Sequence, residues 1–250
     1  MAKRIVRIAP PAYICISLVL VQWVVVDHFI KHGAVNRLAD LTGEQVIRNF
    51  SFSYSWMSPG WINPVFWTLA IEFQFYIIIG LLYNLLFEKK NVLAFVAFFI
   101  ILTSLYLIGG FVKFSISGYS PMFAMGGAAL LFKKELISVK KYFIILILFS
   151  AIMTNNFGYL SAIFGLSTSL IIAFVKIRHS IFSFFGKISY SLYLMHLLIG
   201  GTTEFLLSKV YHPHTEIGNL AAISFCIAVA LLLSYGYYKV VEVPFMKIGR

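Results

Sequence analysis

Glu72 lies in the apolar run VFWTLAIEFQFYIIIGLLY, and His196 lies in ISYSLYLMHLLIGGTTEFLL. An ionisable side chain in a stretch able to cross a bilayer is costly, and it faces a bundle interior or a watery cavity. A carboxylate there can orient a hydroxyl, and an imidazole can take up a proton near neutral pH. Helical spacing puts Thr68, Glu72, Phe75 and Tyr76 on one face. It also gathers Ser189, Tyr193, His196, Gly200, Thr203 and Glu204 into a polar and small stripe that should face other helices. Both residues also admit structural readings: Glu72 as a carboxylate bonded to a neighbouring helix, and His196 as a buried histidine satisfied by a hydroxyl. Arg4 and Arg7 are three apart and project from one side of a helix. Such a pair can grip two phosphates, or one phosphate twice. Taken alone, it reads first as an orientation signal or a lipid-headgroup contact. Asp27, His28 and His32, and likewise His212, His214 and Glu216, have metal-like spacings but make incomplete ligand sets, so no metal site is expected.

The elements that must position these residues are membrane helices. The chain has 250 residues, of which 60% are hydrophobic and 12% charged, and its mean hydropathy is +0.90. That apolar content exceeds what one soluble core could bury. Apolar runs near spanning length occur at about 8–26, 65–87, 92–112, 157–175, 188–207 and 218–241, with two shorter runs at about 119–132 and 142–153. The runs are continuous, whereas barrel strands alternate. The expectation is an all-α, polytopic membrane helix bundle of about eight transmembrane helices, forming a single domain over residues 1–250.

The net charge of +11 is explained by topology, without a nucleic-acid partner. With the N-terminus in the cytoplasm, fifteen basic residues fall inside, and only Lys31, Arg37, Arg48, Lys113 and Lys209 fall outside. This is the positive-inside bias. It requires both short spans, because removing one would invert every later loop, and it places both termini in the cytoplasm. The opening MAKRIVRIAPPAYICISLVLVQWVVV has no small-residue cleavage pattern and reads as a span. Cys15 and Cys226 fall inside spans and read as small packing residues, not as a disulfide framework. The outer segment 27–64, with its SPGWINP turn, suits the membrane interface, where Trp56, Trp61 and Trp67 would sit at headgroup level.

Four stretches together resemble the acyltransferase-3 family of integral-membrane O-acyltransferases. FWTLAIEFQFY is similar to the family's W-S/T-L-x-x-E-x-x-F/Y-Y motif at Trp67, Thr68, Leu69, Glu72, Phe75 and Tyr76. GKISYSLYLMH resembles G-x-x-SYSLYL-x-H and ends on His196, with Met195 where tryptophan is common. VEVPFMKI matches the closing E-x-P-F motif at Glu242, Pro244 and Phe245, and KRIVRIAPPAY matches R-x-x-R-I-x-P at Arg4, Arg7, Ile8 and Pro10. The resemblance covers essentially the whole chain.

The resemblance implies acyl transfer from a cytoplasmic donor, acetyl-CoA or another acyl-CoA, to a sugar hydroxyl of a lipid-linked or outward-facing glycan. Acyl-CoA is then a co-substrate with no bound cofactor, and the setting is a bacterial inner membrane, with its lipids as further partners. The reaction needs a base for the hydroxyl, donors for the thioester oxyanion and cations for the donor's phosphates. On this reading Arg4 and Arg7 meet the phosphates at the cytoplasmic mouth. Glu72 and His196 are the catalytic candidates, Trp67, Tyr76 and Tyr193 line the substrate cavity, and Glu242 pairs with nearby basic residues.

Members of the family usually have ten spans. The first two carry an R/K-x10-H motif regarded as catalytic, and nothing in this chain matches it. The expectation is therefore a truncated, misassigned or frameshifted start, or a degenerate member, and a chain inactive by itself. Two other functions stand beside the enzyme: an export or transport component for polysaccharide or lipid, and a catalytically dead scaffold. Inverted repeats and paired broken helices would favour transport, and the sequence has neither.

Overall fold

Long apolar stretches can satisfy their backbone hydrogen bonds inside a bilayer only as helices or closed barrels. The computed structural model describes residues 2–29, 38–53, 60–88, 91–107, 115–176 and 179–248, and every regular element among them is helical. In chain order they are α1 (Ala2–Phe29), α2 (Gly43–Phe50), α3 (Phe66–Tyr83), α4 (Val92–Leu107), α5 (Ile116–Lys133), α6 (Val139–Phe157), α7 (Tyr159–Phe174), α8 (Ser180–Leu207), α9 (Glu216–Tyr237) and α10 (Val243–Ile248). Each of the eight apolar runs holds one helix. Ile5–His28, Phe66–Phe87, Ser180–Leu207 and Glu216–Ile248 are long and apolar enough to cross a membrane.

One expected boundary differs. The gap foreseen between 153 and 157 is absent, because α6 runs on to Phe157 and only Gly158 separates it from α7. Gly158 has φ +84°, a left-handed conformation that lets the chain turn within one residue.

The chain divides into two compact units, Met1–Tyr54 with Pro59–Ala70 and Arg178–Arg250, and Ser55–Ser58 with Ile71–Ile177. In the first unit α8 packs along α9, and α1 packs on α8 and α10. The buried face of α1 is Ala9, Ala12, Cys15, Ile16 and Val19, small or slim residues at helical spacing that allow close approach. Pro10 and Pro11 deprive earlier carbonyls of their N–H partners. Nearby, the Tyr190 hydroxyl donates to the Ile8 carbonyl at 2.7 Å and the Tyr237 hydroxyl donates to the Pro11 carbonyl. The short α2 is capped by Thr42, whose hydroxyl accepts from the Gln45 N–H at 3.1 Å. Buried Asn49 ties α2 to the segment before α3, donating to the Gly60 carbonyl and accepting from the Ile62 N–H at 3.0 Å. Trp56 lies outside the described residues.

The second unit packs α4, α5, α6 and α7 around Phe95, Phe99, Met125, Tyr142, Leu146 and Phe149, all fully buried. A Cβ at Gly127 would lie 2.9 Å from the Phe95 ring, so the glycine is what lets that ring lie against α5. Buried hydroxyls pair within the unit: Thr103 with Ser120 at 2.6 Å, and Tyr142 with Ser169 at 2.9 Å.

Candidate functional site

His196 sits midway along α8, in the first unit, where small Gly200 and Gly201 follow it. Its Nδ1 lies 2.8 Å from the Tyr193 carbonyl. A carbonyl only accepts, so Nδ1 carries the proton, and Nε2 of the neutral ring keeps its lone pair. His196 lines two grooves between α8 and α9. One, of about 670 Å³, runs past Gly200, Glu204, Ser208, Tyr211, Asn219 and Cys226. The other, of about 500 Å³, is lined by Phe185, Ser189, Leu192, Tyr193 and Leu231. Ile227 and Ala230 belong to both, which places His196 at their junction. The stripe read from the sequence is thus divided: Ser189 and Tyr193 on one side of the histidine, Gly200 and Glu204 on the other.

Tyr193 also reaches the start of α3. Its hydroxyl donates to the Val65 carbonyl and shares a hydrogen bond with the Thr68 hydroxyl. Trp67 is half-buried beside Thr68, between fully buried Phe66 and Leu69. Just before this helix lies a node the sequence did not reveal. Asn63, 1% exposed, donates to the Leu194 carbonyl at 3.1 Å and to Cys15 Sγ at 3.4 Å, while the Cys15 thiol donates to the same carbonyl at 3.2 Å. The SPGWINP run reads as a turn, and nothing in its spacing marks Asn63 as the residue that would join α1 to α8.

In the second unit Glu72 is exposed and accepts a hydrogen bond from the Tyr76 hydroxyl at 3.2 Å, the i,i+4 neighbour on its own helix. Phe75, expected on the same face, stacks on Phe123 of α5 with ring centroids 4.0 Å apart.

Arg7 lies 3.5 Å through Nη2 from Glu242 Oε1, and the Glu242 side chain is wholly buried. The other carboxylate oxygen accepts from the Ser191 hydroxyl at 2.6 Å. The pairing expected of Glu242 with a basic residue therefore has a partner from the opposite end of the chain. Arg4 belongs to α1 by its backbone, and its side chain lies outside what the structure describes. Of the histidine clusters, His212, His214 and Glu216 are exposed and His32 lies outside the described residues. Among the described residues no three His, Cys, Asp or Glu side chains gather around a possible metal position.

An imidazole with a free Nε2 lone pair in an accessible groove can take a proton from a hydroxyl, and an arginine with half its side chain in the open can meet an anion. The family model for an acyltransferase domain matches residues 1–239. No curated protein and no solved structure matches the chain.

Proposed function

Because the chain belongs to the acyltransferase-3 family and is thereby a membrane acyltransferase of groups other than aminoacyl groups, we propose that it moves an acetyl group from cytoplasmic acetyl-CoA to a hydroxyl of a lipid-linked or cell-surface glycan. The setting is the inner membrane of a bacterium, with both termini cytoplasmic, and the split of basic residues between loops supports that orientation. The observation that carries the chemistry is His196, whose Nδ1 is tied to a backbone carbonyl while its ring borders two grooves.

In this reaction Nε2 accepts the acceptor's hydroxyl proton as that oxygen attacks the thioester carbonyl. The carbon–sulfur bond breaks, the acetyl group stays on the acceptor oxygen, and the coenzyme A sulfur leaves with the proton returned by the imidazolium. Tyr193 holds the ring through its carbonyl and lines the adjoining groove with its side chain. Arg7, and Arg4 three residues earlier, supply cations for the donor's phosphates.

The test is acetyl transfer from labelled acetyl-CoA to membrane glycan in His196→Gln, with protein abundance measured on the same membranes. A positioned general base is worth about 10²- to 10⁴-fold, so a loss of that size at normal abundance is expected. Full transfer by the variant would remove His196 from the chemistry, and no transfer by the wild-type chain would favour the inactive chain expected from the unmatched R/K-x10-H motif.

A further inference from the structure

Arg7, Glu242 and Ser191 come from three distant stretches of sequence and meet in one chain of polar contacts. Glu242 is the only charged side chain among the fully buried described residues. Its Oε2 accepts from Ser191 at 2.6 Å, whereas among the described residues its Oε1 makes no hydrogen bond and faces the Arg7 guanidinium at 3.5 Å. As packing this is a poor arrangement, because an apolar pair of similar volume would be as stable or more so. It does, however, hold one edge of the guanidinium. The contact is made through Nη2, and 47% of the Arg7 side chain remains exposed, which leaves the arginine room to meet an anion as well.

The backbone around Glu242 is arranged to the same end. Residues Tyr238–Glu242 form a π-helical turn between α9 and α10, a register change that re-aims the side chains following it. Tyr237, immediately before the turn, is fastened to the Pro11 carbonyl of α1, four residues from Arg7.

We infer that Glu242 is a positioning residue: oriented by Ser191, it holds the Arg7 guanidinium with its free edge toward the phosphates of the acyl donor. The inference rests on the donor reading given above. A guanidinium fixed beforehand loses less freedom when it binds phosphate.

The test is equilibrium binding of coenzyme A to the full chain in lipid nanodiscs, for wild type, Arg7→Ala, Glu242→Gln and the double variant. Glu242→Gln keeps the acceptor for Ser191 and removes the charge that holds Arg7. It should weaken binding about tenfold beside Arg7 and have no further effect beside Arg7→Ala, the non-additivity expected of residues acting as one unit. Glu242→Asp, which keeps the charge, should recover part of the loss, and Ser191→Ala should show a smaller loss with the same dependence on Arg7. Equal weakening in both backgrounds would make Glu242 merely structural and overturn the inference. Tighter or unchanged binding in Glu242→Gln would mean that the carboxylate competes with the donor for Arg7, and would also overturn it. Failure of wild type to bind coenzyme A, or normal binding by Arg7→Ala, would sink the donor reading itself and the inference with it. Should Glu242→Gln not accumulate, the Ser191→Ala pair decides the matter alone.

Discussion

Both units bury hydroxyls, such as Ser191 and Ser234 in the first, but among the described residues the fully buried amides and carboxylate all lie in the first unit. In the unit built on α1, α8 and α9, the buried polar residues among those described include the amides Asn49 and Asn63 and the carboxylate Glu242, whereas in the unit of α4 to α7 they are Thr103, Ser117, Ser120 and Ser169, all hydroxyls. A hydroxyl in a helix can bond to its own preceding turn, as Thr103 does to the Phe99 carbonyl at 2.7 Å and Ser120 to the Ser117 carbonyl at 2.8 Å. Its burial asks little of the rest of the molecule. An amide or carboxylate has more lone pairs and donors to satisfy. Asn63 finds its partners on α1 and α8, and Glu242 finds its own on α1 and α8 as well. The second unit is filled by rings, with Phe87, Phe95, Phe99 and Phe149 all buried, and adds hydroxyl bonds between helices such as Tyr142 to Ser169. The first is held by specific long-range bonds, and it is the one that carries His196 and Arg7.

If that contrast is right, shape changes should damage the second unit most. Phe99→Ala removes a fully buried ring that touches Phe95, Phe98 and Phe149. A cavity of roughly 100 Å³ at about 24 cal/mol per Å³ adds to the lost transfer free energy of the ring, for a total of about 3 to 5 kcal/mol. Thermal unfolding in detergent would register this as the largest loss of the set, and a Phe99→Ala variant as stable as wild type would break the contrast at once.

The matching change in the first unit is Asn63→Leu, which keeps size and removes the node. It leaves the Val65 N–H, now 3.3 Å from Asn63 Oδ1, without that acceptor and the Cys15 thiol without its amide neighbour. The expected cost is about 1 to 3 kcal/mol. A neutral outcome would show that α1 and α8 hold together without the Asn63 node, through packing and their remaining bonds such as Tyr190 to the Ile8 carbonyl.

Glu72 sharpens the comparison, because it is an exposed carboxylate on an apolar helix of the unit whose fully buried polar residues, among those described, carry hydroxyls. Glu72→Gln preserves size and its bond to Tyr76, so abundance should not change. If Glu72 orients a substrate hydroxyl or a base, acetyl transfer should fall about tenfold, equivalent to about 1.4 kcal/mol. Unchanged transfer together with poor accumulation of Glu72→Leu would instead make it a packing carboxylate.

The smallest effect expected is a difference between two glycines. A Cβ at Gly127 meets the rigid, fully buried Phe95 ring at 2.9 Å, whereas one at Gly165 meets Met125 Cε at 2.5 Å, the end of a flexible side chain. Gly127→Ala should destabilise by about 1 kcal/mol, and Gly165→Ala by less despite the shorter distance. The reverse order would show that Met125 is held more firmly than its three rotatable bonds suggest.

The sequence alone determined the helical class, the membrane setting and the position of every long helix, because apolar content, run length and loop charge are local properties that one chain segment carries by itself. It also marked His196 and Glu72, since an ionisable group in an apolar span is conspicuous wherever its partner lies, and Arg7 through its spacing from Arg4. The partners were decided only by the tertiary structure. Helical spacing placed Thr68, Glu72, Phe75 and Tyr76 together, but periodicity describes one helix; Thr68 turned out to pair with Tyr193, and Phe75 with Phe123. Asn63 was illegible for the same reason: its place at the meeting of Cys15 and Leu194 depends on residues 48 and 131 positions away. The link from Arg7 to Glu242 spans nearly the whole chain. No repeat or spacing records such a meeting, because it exists only once packing has brought the start of α1, the interior of α8 and the turn after α9 to one place.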